Sequence, residues 1–379
     1  GYIVSSERVG IRIVDVQNPR QPEFVETVFD SVKCGRIGIF GNKLVTMTRY
    51  YTAIAVFNIM DQRNLQLVAT KWSHGIIDQV VYEDDLVYVY WIPRGLSVVD
   101  VRDKHSPIEL SYIRLNDQDY RPKPIEKCGS FIYASYRTYE EPRYYGLSMI
   151  DVSDPSNIQI AAQDTFYQIW DLEIRGSIAY FVCGSDGLQI VDLQNPIEPQ
   201  IIGSLQGEGR YLFVDVEDDL AYTVQLVNNS YSVRAIDISD PTDPREVGSC
   251  PTWRIFDLVA NGNLVVASYS TYIIGIDFSD LQNPHVTMHS EGIPPSRILH
   301  KLSDSYVIAG NEELGFRVLK LGDEIGQDIQ FTECGFYDTP GITDGIATNE
   351  YYTFIADRSN LGIYDISEAL GWQSVRQGE

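Results

Sequence analysis

Apolar runs of about five to eight residues, separated by Gly, Pro, Asn and Asp, recur along the whole chain. The pattern is clearest around Asp192. Residues 171–174 precede a Gly176-Ser177 turn, residues 178–182 precede Gly184-Ser185-Asp186-Gly187, residues 188–193 precede Asn195-Pro196, and residues 200–205 follow. Short runs rich in Val, Ile, Tyr and Phe, bounded by turn formers, predict strands joined by tight turns. No stretch leaves room for a long helix.

The same unit returns along the chain. Gly187-Leu188-Gln189-Ile190-Val191-Asp192-Leu193-Gln194-Asn195-Pro196 is matched by Gly146 to Pro155, and by segments 10–22, 95–107, 233–244 and 273–284. Degenerate copies span 53–65, 315–321 and 361–367. The closing position falls at Asp15, Asn58, Asp100, Asp151, Asp192, Asp237, Asp277, Lys320 and Asp365. A period near 43 residues suits four short strands with their turns, the size of a propeller blade. Gly before the third strand permits a positive φ. The third strand is apolar without alternation because both its faces meet neighbouring sheets. Asp at its end accepts backbone N–H bonds in the next turn, and Pro follows where no ladder donor is needed. These Asp residues are spaced for separate blades, not for one metal site.

Ile13-Val14-Asp15, Val98-Val99-Asp100 and Ile190-Val191-Asp192 make the chain resemble the LVIVD repeat family of bacterial and archaeal surface proteins. The resemblance covers nearly the whole chain and is eroded at Asn58 and Lys320. It implies a propeller and often an exported location, and no single activity. The expected fold is all-β: one β-propeller of four-stranded antiparallel blades over residues 1–379, closed by its N- and C-terminal segments. The first copy lacks strand one. The last has three strands and a candidate fourth in 372–376. Eight blades are therefore expected, with nine or seven as alternatives; seven would leave two good copies outside the ring.

Charge narrows the partners. With 29 Lys+Arg against 53 Asp+Glu, the net charge of −24 repels nucleic acid and anionic membranes. No apolar run approaches the roughly 20 residues of a membrane helix. The first residues already read as a strand, so any leader or anchor is expected to lie outside this chain. Five scattered cysteines form neither a disulfide framework nor a zinc spacing. No phosphate loop, nucleophile elbow or helical zinc pair is present, and no cofactor or metal is expected. His285 and His289 share one strand face and read as outer-strand packing.

With the usual inner-to-outer strand order, the loops between blades and the two-to-three loops within blades meet at one mouth of the channel. That face gathers Arg and aromatics. The candidate ligand-binding residues are Arg36, Arg121, Lys123, Trp170, Arg210, Tyr211, Trp253, Arg254 and Arg297, with Arg137 and Arg143 from a longer loop. Arg binds anions through a planar fork, and Tyr and Trp add flat apolar area with a polar tip. Together they suit a small anionic or ring-bearing ligand, or a partner protein. The competing reading pairs these Arg residues with rim acids such as Asp78, Asp171, Asp257 and Asp344. If the mouth were catalytic, as in a lyase, isomerase or cyclase, His74, His300, Tyr120 and Tyr211 are the candidate acid–base groups. A purely structural spacer would instead have its channel plugged by its own side chains. The leading expectation is an exported or surface-associated binding module.

Overall fold

The four runs around Asp192 fold as one sheet. In the computed structural model, strands Asp171–Arg175, Ile178–Val182, Leu188–Asp192 and Gln200–Leu205 pair antiparallel in chain order. The structure describes the strands of residues 2–72 as backbone, and then residues 74–92, 95–103, 107–115, 124–137, 145–269, 272–290, 296–311, 315–322, 331–337, 339, 343–349, 351–357 and 360–370. Among them no helix is long and apolar enough to cross a membrane.

The chain divides into two compact units, residues 1–76 and 77–379. In the first, Tyr2–Ser6, Ile11–Asp15 and Glu23–Val28 form a three-stranded sheet. Cys34–Phe40, Lys43–Thr48, Ala53–Asn58 and Gln66–Trp72 form a four-stranded one. The strand missing from the first copy is the one the sequence lacks.

The second unit is a propeller of seven sheets, here called blades one to seven. Their first strands are Ile76–Glu83, Ile125–Cys128, Asp171–Arg175, Arg210–Glu217, Ile255–Asn261, Ile298–Ser303 and Thr343–Thr348. Among the described residues, blades one to six have four strands and blade seven three, ending with Asn360–Asp365; the candidate fourth strand in 372–376 lies outside them. From blade two to blade seven, the first strands of successive blades lie side by side, which puts them innermost. The ring closes where Tyr82 of blade one stacks on Phe354 of blade seven, centroids 4.6 Å apart. The Asn349 side-chain amide donates to the Tyr82 hydroxyl at 3.2 Å. Ile77, Val87 and Val89 share one apolar cluster with Ala347, Phe354 and Ala356. This ring thus has seven blades, an alternative already open from sequence, rather than the eight favoured there. The two copies ending at Asp15 and Asn58 belong to the other unit, and seven twisted sheets already bring blade seven against blade one.

The repeat logic is visible atom by atom. Asp100, Asp151, Asp192, Asp237, Asp277 and Asp365 each accept the backbone N–H two residues on, at 2.7–3.0 Å. Lys320 cannot do so. There the Leu321 N–H still reaches the Ser305 carbonyl, but the next strand begins pairing twelve residues on, at Thr332, instead of eight. In Leu188–Asp192, Leu188, Ile190 and Val191 are fully buried between neighbouring sheets. Burial of this kind contributes about 1.5–3 kcal/mol per side chain.

Candidate functional site

The innermost strands of all seven blades surround a channel of about 820 Å³. Consecutive inner-strand residues border it, such as residues 171–173 and 256–259. It has two tiers, differing in chemistry.

The upper tier lies where the inner strands begin. Trp170, Phe256 and Arg297 line it, while Phe213 lies further along its strand, beside Val214. Trp170 is 41% exposed and packs over Gly184, where a Cβ would come within 2.8 Å of the indole Nε1. The Arg254 and Arg297 guanidiniums, from either side of blade five's inner strand, both stand over the Phe256 ring, at 5.0 and 5.3 Å from its centroid. Outside this rim, Trp253 packs on Tyr269 at 5.6 Å, and Tyr269 on Tyr272 at 6.4 Å.

The lower tier is acidic. Glu126, Asp171, Glu173, Asp215 and Asp257 line the wall of blades two to five. Three of them tie blades together. Asp171 accepts the Val214 N–H at 3.0 Å, Asp215 the Ala260 N–H at 2.7 Å and Asp257 the Leu299 N–H at 2.7 Å, each in the next blade. Their other oxygens accept the N–H of Leu172, Val216 and Leu258 on their own strands. Arg175 sits 3.2 Å from Glu173 and 3.5 Å from Asp215, and donates to the Val216 carbonyl at 2.8 Å. Lys301 pairs with Glu217 at 2.8 Å.

Loss of hydration inside the wall disfavours charge on these carboxyls. Burial, then the nearby Asp171 charge, pushes Glu126 up to about 7. Burial pushes Asp257 up to about 7 against the pull of its two N–H donors. Asp171 is raised well above the usual range by burial and by Asp257, and Glu173 by burial and by Glu126. Asp215 is raised by burial and held back by the Ala260 N–H and Arg175. His300 lies on the wall with Nε2 3.0 Å from the Thr348 hydroxyl, and burial lowers it to about 4. It is therefore a neutral imidazole at neutral pH.

Of the sequence-derived candidates, Trp170, Arg297 and His300 line the channel and Arg254 joins them through Phe256. Trp253 begins the aromatic row beside them. Arg210 is exposed at the start of blade four's inner strand and is not part of the channel wall. Tyr211 is 2% exposed; its N–H donates to the Gly184 carbonyl at 3.0 Å. His74 is half-buried in the unit of residues 1–76. Arg36 and Arg137 lie on the strands Cys34–Phe40 and Phe131–Arg137, their side chains outside the described residues. Tyr120, Arg121, Lys123 and Arg143 also lie outside them. The pairing of rim Arg with Asp171 and Asp257 is corrected: those carboxyls bond to backbone N–H groups of the next blade. Sequence reasoning missed Glu126, Glu173 and Asp215. The available signal was an acid within an apolar inner strand, as in Phe213-Val214-Asp215-Val216. Among the described residues no three of His, Cys, Asp and Glu are placed to hold a metal ion.

An all-β ring of repeated sheets around an open, two-tiered channel defines the class: a β-propeller with an accessible mouth. The LVIVD repeat family model matches residues 168–206, 226–252 and 340–369, and the chain is consistent with an LVIVD-repeat β-propeller. No curated protein matches the chain. Among solved structures it is similar to the computationally designed Ika8 protein, with a TM-score of 0.55 and 11% identity over 88% of this chain and 96% of that one. It is also similar to a functionally unknown protein from Desulfotomaculum acetoxidans DSM 771, with a TM-score of 0.54 and 11% identity over 86% of this chain and 99% of that one. Both likenesses concern the fold.

Proposed function

We propose that this protein is an exported or surface-associated binding module that holds a small ring-bearing ligand at the channel mouth of residues 77–379. The observation that carries this reading is the convergence of Arg254 and Arg297 on Phe256 at the rim of an open channel of about 820 Å³. Two planar guanidiniums held against one ring turn their N–H forks to a carboxylate, and Trp170 nearby offers an exposed ring face. The anionic group of such a ligand stays at the rim, because the wall below carries Glu126, Asp171, Glu173, Asp215 and Asp257. A binding role is favoured over proton-transfer chemistry because Tyr211 is buried outside the channel lining and His300 is bonded to Thr348, so these two candidate acid–base groups do not meet at the rim.

The test is calorimetric titration with glucuronate and benzoate, using glucose and benzyl alcohol as uncharged counterparts. At least one acid binds more tightly than its uncharged counterpart, and the double variant Arg254→Ala/Arg297→Ala lowers that affinity at least tenfold while the melting temperature stays within a few degrees. Equal binding of charged and uncharged probes, or an unchanged affinity in the variant, refutes the rim site.

A further inference from the structure

The exposed large hydrophobic side chains of residues 77–379 are not spread evenly by type. On the loops between blades, and on the two-to-three hairpins, they are Tyr167, Trp170, Trp253 and Tyr272, all aromatic with a polar tip. The others, Ile108, Ile197, Ile201 and Phe336, lie on fourth strands or the turns that lead to them, and Tyr351 lies on a one-to-two turn. Among the described residues the mouth face thus offers exposed rings that each keep a hydrogen-bonding edge in water.

Three rings form a row. Trp253 precedes blade five's inner strand, Tyr269 ends its second strand, and Tyr272 follows in the hairpin. Their centroids step 5.6 and then 6.4 Å, with planes inclined by 37° and 24°. Trp253 is 50% exposed and Tyr272 45%. Arg254, next to Trp253, stands over Phe256 on the channel rim, so the row continues the rim outward along one blade. Ordinary burial would have hidden these rings. At about half exposure Trp253 and Tyr272 retain apolar area that a ligand can remove from water.

We infer that Trp253, Tyr269 and Tyr272 form a binding platform for a chain of uncharged sugar rings. Pyranose rings lay their axial C–H faces on aromatic rings while their hydroxyls remain solvated, and successive sugars along a chain meet successive rings. Charge selects against the other ring-bearing polymer, nucleic acid. Its phosphates require a positive groove beside the stacking residues, and this chain carries a net charge of −24. The inference deepens the proposed function, since it takes the mouth face as the binding face, but it uses different side chains from the arginine rim.

The experiment is native gel electrophoresis of the full chain through gels containing hydroxyethyl cellulose, xylan, mannan or dextran. At least one polysaccharide slows the protein. Trp253→Ala/Tyr272→Ala restores the mobility seen in a plain gel, whereas Trp253→Phe/Tyr272→Phe, which keeps the rings, stays slowed. The phenylalanine pair also guards against misfolding in the alanine pair, which is checked by circular dichroism. No slowing by any of the four polymers, the result expected of a protein-binding patch, overturns the inference. So does slowing that survives the alanine pair. Arg254→Ala/Arg297→Ala leaves the slowing intact, so loss of glucuronate or benzoate binding there and loss of polysaccharide binding in the aromatic pair report on separate sites.

Discussion

The Asp257 carboxylate, on the inner strand of blade five, accepts the Leu299 N–H of blade six at 2.7 Å while its other oxygen accepts the N–H of Leu258. The same bridge recurs from Asp171 to Val214 and from Asp215 to Ala260. Successive blades are thus joined by side-chain-to-backbone bonds at the crowded centre of the ring, where inner strands of different sheets do not share a ladder.

Removing such a bridge leaves backbone donors unpaired in a dehydrated wall. Asp171→Ala, Asp215→Ala and Asp257→Ala are each expected to cost about 1–3 kcal/mol. Urea unfolding curves check this, with a lower midpoint and an unchanged slope.

The closing Asp of each third strand acts locally and costs less. Asp192→Ala and Asp237→Ala remove the bonds to the N–H of Gln194 and Ser239, but the backbone bonds from Leu193 to Ser177 and from Ile238 to Asp219 persist. Each is expected to lose about 1 kcal/mol. The two losses should add in the double variant, because the sites lie in separate turns. The checking measurement is the same urea series.

Glu126 and Asp257 are both raised to about 7. A carboxyl with a raised folded pKa holds its proton more tightly in the folded chain. Its stabilisation is full below the unfolded value of about 4 and is lost as pH rises through about 7. The melting temperature should therefore fall between pH 5 and pH 8. Glu126→Gln keeps an acceptor for the Lys127 N–H and removes the charge. It should flatten that fall by roughly 2 °C or more. An unchanged fall in this variant would show that Glu126 is already charged in the folded state over this range.

Two turn glycines separate backbone strain from crowding. Gly187 has φ +77°, and a Cβ there would lie 2.1 Å from the Leu205 carbonyl oxygen. Gly176 has φ +60° with nothing within 4 Å of the same position. Gly176→Ala is expected to cost about 1–2 kcal/mol, the left-handed penalty alone. Gly187→Ala adds displacement of the fourth strand and should cost clearly more. Thermal unfolding of the two variants side by side gives the comparison.

The repeat could be read from residues alone because each blade is a local object. Its strands are consecutive in the chain, and its turns are fixed by Gly and Asp at set offsets, as Gly187, Asp192 and the Gln194 N–H show. Whether a copy joins a given ring is a matter of sheet twist and closure. Asp15 and Asp192 look alike in sequence, yet they end strands in separate units. The channel wall was hidden for a related reason. Glu126, Glu173 and Asp215 come from three blades, and nothing in the spacing of single residues says that their side chains share one dehydrated space. Sequence determined the strands, the turns and the blade, since these depend on neighbours along the chain. Only the tertiary structure decided the ring of seven, the acidic wall and the meeting of Arg254 with Arg297 over Phe256, since each depends on how sheets pack around a common axis.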